Sequence, residues 1–316
     1  MNMVITGLGV MGWFGTDSAS LCQAAGADTP IQEPAVADTS ILTTIASPRD
    51  LRRMDHFSQL ALWAAQQAIR DAGEDVSART GLVMTTGYGP LHATFAMMDS
   101  MIEYGPDLAS PLAFSQSVHN MPAAGLARQC NLDGPCITLC QFETSMAAGL
   151  LVAHDWLASG LVDRVLLGAV DEYAPLLSVI ADRFEQEQNA APAIQRFRGP
   201  LADTASFFCL VPEGNVPGYC LIDQIDCGNG ASPTCDDDVN TIFFSAQATE
   251  SNGFCLGTSP TAVGFDLILV ALALQGQSVP NIDGNMRQTR FVCEDQLGGY
   301  GCWRARSLPQ SVRKSI

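Results

Sequence analysis

The chain has 316 residues, 47% of them hydrophobic and 16% charged, with a formal net charge of −17 and a pI near 4.4. That balance supplies a large core and excludes a disordered or fibrous chain, and the negative field argues against nucleic acid and anionic membrane surfaces as partners. In chain order, MVITGLGV at Met3 to Val10 reads as an opening strand, with none of the basic region or apolar stretch of a signal peptide. Gly7, Gly9 and Gly12 match GxGxxG there, and Glu33 follows about twenty residues on. A dinucleotide site is not expected, because Trp13 to Asp17 separate the glycines from the next helix, whose natural N-cap is Thr16 or Asp17. Phe57, Leu60, Ala61, Ala64, Ala65, Ala68, Ile69 and Ala72 recur at helical spacing and Gly73 follows as a stop signal. Gly81 to Gly87 and Arg164 to Val170 are continuous apolar runs, as in strands covered on both faces. Cys136 and Cys140 lie four apart on a predicted strand, on one face and in the core. A helix spans Thr144 to Ala158, and the polar stretch Glu185 to Pro200 reads as a surface loop or a trimmed insertion.

A second, shorter series follows. It comprises strands at Tyr219 to Asp226 and Asn240 to Ala246, then a helix over the longest apolar run, Val263 to Leu274. At twelve residues that run falls short of the roughly twenty needed to cross a bilayer, so it is predicted as a buried helix. RFVCED and YGCWRARS close the series as a terminal hairpin or two adjoining strands. Alternating strands and helices point to a layered α/β fold.

The eleven cysteines include no CxxC pair, so neither a zinc site nor a disulfide framework is indicated, and the thiols suit a reducing cytoplasm. His119 and Asn120 have no acidic partner or nucleophile nearby in sequence, so His119 is expected to be a hydrogen-bonded structural residue. No metal or cofactor is indicated.

Four stretches resemble the β-ketoacyl synthase branch of the thiolase-like condensing enzymes: Met3 to Val10, Arg52 to Gly73, Ser117 to Pro135, and Asp163 to Glu172. The resemblance implies a thiolase-like α/β/α/β/α fold of two related halves, here 1–212 and 213–316, the second shortened. Aligning Gly134-Pro135 with the family's Gly-Pro and counting forward without gaps puts Glu143 on the position of the nucleophilic cysteine, with Cys136 and Cys140 seven and three residues early. Such enzymes also use two histidines in the C-terminal half. This sequence has His56, His92, His119 and His154, and none beyond 154. Gln247 stands in place of the first. A gapless count reaches Gly257 for the second, with Thr258, Ser259 and Pro260 equally open, and the lysine usual beside it is missing, since Lys314 is the sole lysine.

Condensation through a thioester needs a thiolate, and a glutamate is a poor substitute for it. Loss of one oxyanion donor typically costs about a hundred- to a thousandfold, and here both imidazoles are missing. No catalytic residue is therefore expected. Glu143 is either a helix-capping acid, worth about 0.3–1 kcal/mol beside exposed N–H groups, or the partner of an arginine. The resemblance implies a noncatalytic chain-length factor that pairs with an active ketosynthase and shapes the acyl tunnel in polyketide, aryl polyene or polyunsaturated acyl-chain synthesis in the cytoplasm. Phe114, Val118, His119, Asn120 and Met121 become interface or acyl-pocket candidates. Acyl carrier protein would dock mainly on the partner, although Arg49, Arg52 and Arg53 offer a local basic patch. Two alternatives remain: an enzyme using Glu143 to decarboxylate or hydrolyse acyl or malonyl thioesters, and an acyl-binding homodimer.

Overall fold

The first strand carries glycine where a helix must come close. In β1, Met3–Gly12, a Cβ on Gly7 would lie 2.2 Å from the Ala68 carbonyl oxygen, and one on Gly9 only 1.9 Å from that of Ala64. The glycines that imitate a nucleotide motif thus serve contact between strand and helix. That helix, α3 (His56–Ala72), is capped by Asp55, which accepts from the Ser58 amide at 2.8 Å, and ends at Gly73 in the left-handed conformation. The computed structural model describes residues 1–27, 31–73, 79–186, 200–230, 240–245, 256–295 and 298–314.

Among these residues the remaining strands are β2 (Thr80–Thr86), β3 (Cys136–Cys140), β4 (Arg164–Asp171), β5 (Thr204–Pro212), β6 (Cys220–Asn229), β7 (Asn240–Ser245), β8 (Gln288–Glu294) and β9 (Gly299–Ser307). They form one sheet in the order β3-β2-β4-β5-β1-β6-β9-β8-β7. Outward from the β1/β6 pair, both halves follow one plan: an antiparallel neighbour, β5 or β9, then an antiparallel strand, β4 or β8, then a parallel one, β2 or β7. The first half adds β3, parallel to β2. The second half has no counterpart of β3 among the described residues.

The helices sort into layers by their apolar faces. α3 and α6 (Met121–Gln129) cover one face of the first half. α7 (Ser145–Ala158) touches β2 and β4 of that half and β6 and β9 of the other, so it lies between them. α9 (Val263–Gln275) lies in the same middle layer against β5, β6 and β9, with every residue buried. Both helices share the main core with Phe208, Leu210, Ile222, Phe291 and Trp303, the last two rings stacked at 4.9 Å. The opposite face of β6 and β9 carries Arg304 and Arg306, paired with Asp223 at 2.7 and 2.9 Å.

Four further helices lie toward the first half: α1 (Ser18–Ala25), α2 (Pro48–Leu51), α4 (Leu91–Tyr104) and α5 (Pro111–Ser117), followed after β4 by α8 (Pro175–Gln186). Asp17 is the N-cap of α1. The predicted loop at 185–200 falls largely outside the described residues. Near the C-terminus, Lys314 Nζ bonds the carbonyls of Thr6 and Asp71 and pairs with the Asp71 carboxylate at 2.9 Å. Asp71 also accepts from the Leu8 amide and the Tyr219 hydroxyl, so one carboxylate ties β1, α3, the start of β6 and the tail.

One expectation is corrected. Cys136 and Cys140 are exposed rather than core, because β3 is the outer strand of the sheet and, among the described residues, nothing pairs with its free edge.

Gly9→Ala should cost about 1–3 kcal/mol through overpacking against α3. Gly284→Ala, where a Cβ meets nothing within 4 Å, is the control. Urea midpoints compare them, and equal midpoints would show that α3 does not sit on β1 as described.

Candidate functional site

The turn from β3 into α7 is fixed by side chains that reach across the sheet. The Ser145 hydroxyl donates to the Thr86 carbonyl at 2.9 Å and accepts from the Gln141 amide at 2.8 Å, tying the end of β2 to the start of α7. Thr144 donates to the Gln141 carbonyl at 2.9 Å. Between them the chain makes one 3-10 turn, Phe142–Thr144, with Phe142 at φ 49°, a region that residues with a side chain adopt rarely. Its ring meets Tyr88 edge-on at 6.1 Å. The left-handed residue turns the next one inward, and Glu143 is only 5% exposed, at the N-terminal end of α7.

Around Glu143 the middle layer meets the second half. The turn packs on β8 and β9, and Gly301 of β9 comes so near α7 that a Cβ there would lie 2.3 Å from that of Ala147. In the register of the sheet Gly301 stands between Cys227 of β6 and Cys293 of β8. Cys293 is fully buried, and its thiol is pushed well above the ordinary range by burial and then by the charges of Glu143 and Asp266. It is a protonated thiol, not a thiolate nucleophile.

Asp266 is the residue that sequence reasoning missed. It lies in the first turn of α9, 3% exposed, and its Oδ2 has no hydrogen-bond partner among the described residues. Burial pushes its carboxyl up to about 7. A lone acid inside VGFDLILVALAL was the available signal.

A second group of acids lies at the far end of β4. Asp171 accepts from the Thr86 and Thr261 hydroxyls and the Gly87 and Tyr88 amides; burial outweighs these bonds and lifts it to about 6. Glu172 accepts from the His92 amide, and burial raises it to about 8. Asp203 holds His56 Nε2 at 2.6 Å and accepts from the Ala37 and Tyr173 amides. Burial works against charge on His56, but the bond to Asp203 and the charges of Asp203, Glu172 and Asp55 prevail, raising its pKa.

The predicted positions are not all brought together. Gly257 has φ +94°, and a Cβ there would lie 2.3 Å from that of Ala202, so the site has no room for any side chain, least of all an imidazole. Gln247 lies outside the described residues. Phe114 lies in the middle of α5 and is 59% exposed; Val118, at 40%, follows the helix, and Met121, at 45%, opens α6. Asn120 and His119 are also exposed. His119 lies over Gly89, at φ +71°, and, contrary to expectation, makes no side-chain hydrogen bond among the described residues.

The family model for the β-ketoacyl synthase N-terminal domain matches residues 24–183, half of the chain. The chain belongs to the β-ketoacyl synthase family. The 3-oxoacyl-[acyl-carrier-protein] synthase 2 of Vibrio cholerae is 30% identical over 130 residues, 40% of this chain and 31% of that protein. The match thus spans about a third of the curated relative's length. Two solved structures share the fold over nearly all of both chains. One is a type II polyketide synthase acyl-carrier protein in complex with its hexaketide-bound ketosynthase (TM-score 0.77, 13% identity, 97% of this chain and 99% of that one). The other is the ishigamide ketosynthase/chain length factor (TM-score 0.75, 16% identity, 98% and 100%). Both fit the mixed α/β, thiolase-like architecture. Among the described residues no helix is long and apolar enough to cross a membrane.

Asp171, Glu172 and Asp266 all have folded pKa values raised above their ordinary ones, and so does His56. Each therefore holds its proton more tightly when folded, contributes stability at low pH, and loses it as pH rises through its folded value. Asp223 has the opposite sign, since Arg304 and Arg306 outweigh its burial, but its contribution is lost only in acid. Stability should fall between about pH 5 and 8.5, and Asp266→Asn should flatten that fall; urea midpoints at the two pH values for both proteins decide it.

Proposed function

We propose that this chain is a noncatalytic ketosynthase-like subunit, a chain-length factor, which pairs with an active ketosynthase and closes the end of its acyl tunnel. The observation that carries the reading is Glu143: a carboxylate, buried behind a strained turn, stands where a gapless count from Gly134-Pro135 puts the family's nucleophile, and burial raises the pKa of the core thiol Cys293. Gly257, the gapless candidate for the second histidine, has no room for a side chain. In this reading the scaffold is kept while the reacting groups are gone.

The surface supports a partner. Among the described residues β3 offers an unpaired edge on which Ile137 is exposed, and α4, α5 and α6 with the turn between the last two add Met98, Ile102, Leu112, Phe114, Val118 and Met121. Clustered exposed apolar side chains favour an interaction site, and an open strand edge invites another strand. An obligate interface here would bury roughly 2,000–5,000 Å². The ishigamide ketosynthase/chain length factor is a named example of such a pairing among the structural neighbours. In this reading the halves divide at 212/213, the subunit works in the cytoplasm in polyketide, aryl polyene or polyunsaturated acyl-chain synthesis, and acyl carrier protein is met mainly through the partner.

Co-expression with a ketosynthase encoded beside it should yield a one-to-one complex on size exclusion, while the chain alone should be poorly soluble and inert toward acyl and malonyl thioesters. Phe114→Asp with Ile137→Asp should weaken the complex by about 2 kcal/mol or more, roughly thirtyfold. Turnover by the isolated chain, abolished by Glu143→Ala, would instead establish it as an enzyme.

A further inference from the structure

Away from the β3–α7 turn, a cavity of about 400 Å³ opens between the start of α3 and the α5–α6 pair. This is the size range of small-molecule sites. Its apolar lining comes from Met54 and Leu126, with half-exposed Met121 beside them, and exposed Arg53 and Arg128 also line it. Among the described residues neither arginine forms an ion pair, although the chain carries 33 acidic residues against 16 basic ones. Asp50 and Asp55 also line the cavity, but both have local tasks. Asp50 accepts from the Ser47 hydroxyl at 2.6 Å, and Asp55 caps α3. Exposed Arg49 and Arg52 on the same segment tip the local field to positive.

Gly125 is the independent sign that something enters. It lies inside α6, where glycine weakens a helix. Among the described residues nothing requires it there, since a Cβ would meet no heavy atom within 4 Å. Its bare backbone lines the cavity and keeps it open.

We infer that this cavity binds an amphipathic anion: a short apolar stem lying over Met54 and Leu126, with a carboxylate or phosphate head between Arg53 and Arg128. Guanidinium forks suit either head. A flat acidic protein surface would meet the exposed arginines but leave the cavity empty. The inference does not rest on the chain-length-factor reading.

The test titrates the full chain, with whatever subunit co-purifies, against octanoate, octyl phosphate, inorganic phosphate and octyltrimethylammonium by calorimetry. One of the two octyl anions should bind saturably, and which of them does so identifies the head group. Inorganic phosphate and the cation should bind at least about tenfold more weakly. Gly125→Met, which fills the cavity, should cut octyl-anion affinity at least about tenfold while melting no lower than the parent. Arg53→Gln with Arg128→Gln should abolish the preference for anion over cation. Absence of saturable binding, equal affinity in Gly125→Met, or no anion preference would overturn the proposal.

Discussion

Enclosure of α7 and α9 between the two halves of the sheet is the constraint on which the rest depends. The first turns of α7 are buried from Ser145 to Ala147, and α9 has no exposed residue at all. Any polar group at their N-terminal ends must therefore be dry. Glu143 and Asp266 occupy those ends, one just before α7 and one in the first turn of α9, and both act on Cys293. The helix N-termini favour acids there, while burial favours their neutral forms. For Asp266, burial prevails. A pocket of this kind can hold a proton.

Much of the architecture was legible because period and punctuation are local properties. The α3 pattern from Phe57 to Ala72, its Gly73 stop, the continuous strands around Leu82 and Leu166 and the greasy run from Val263 all record burial directly, and each became the expected element. The hairpin of β8 and β9 was legible for the same reason. The glycines of β1 were harder, since a motif shows that side chains are missing without showing what approaches; the answer was α3, not a phosphate.

What stayed hidden depends on neighbours far off in sequence. CITLC reads as core because it is apolar, yet apolarity does not tell which strand lies at an edge, and its two cysteines proved exposed. His56 and Asp203 are 147 residues apart and meet at 2.6 Å, a pairing no local pattern announces. The conformation of Gly257 follows from the bridge between Leu201 and Thr258 beside it, again a long-range feature. Asp266 differs from these: its oddity was visible, but its burial without a bonding partner was not.

The tail contact has a chemical consequence. Because Lys314 is the sole lysine, the chain presents one side-chain amine to electrophiles, and that amine is engaged by two carbonyls and a carboxylate while lying over the Tyr219 ring at 5.0 Å. An ammonium so held is a poor nucleophile until it is released and deprotonated. Covalent modification of this side chain thus becomes a gauge of how often the segment around Lys314 lifts from β1.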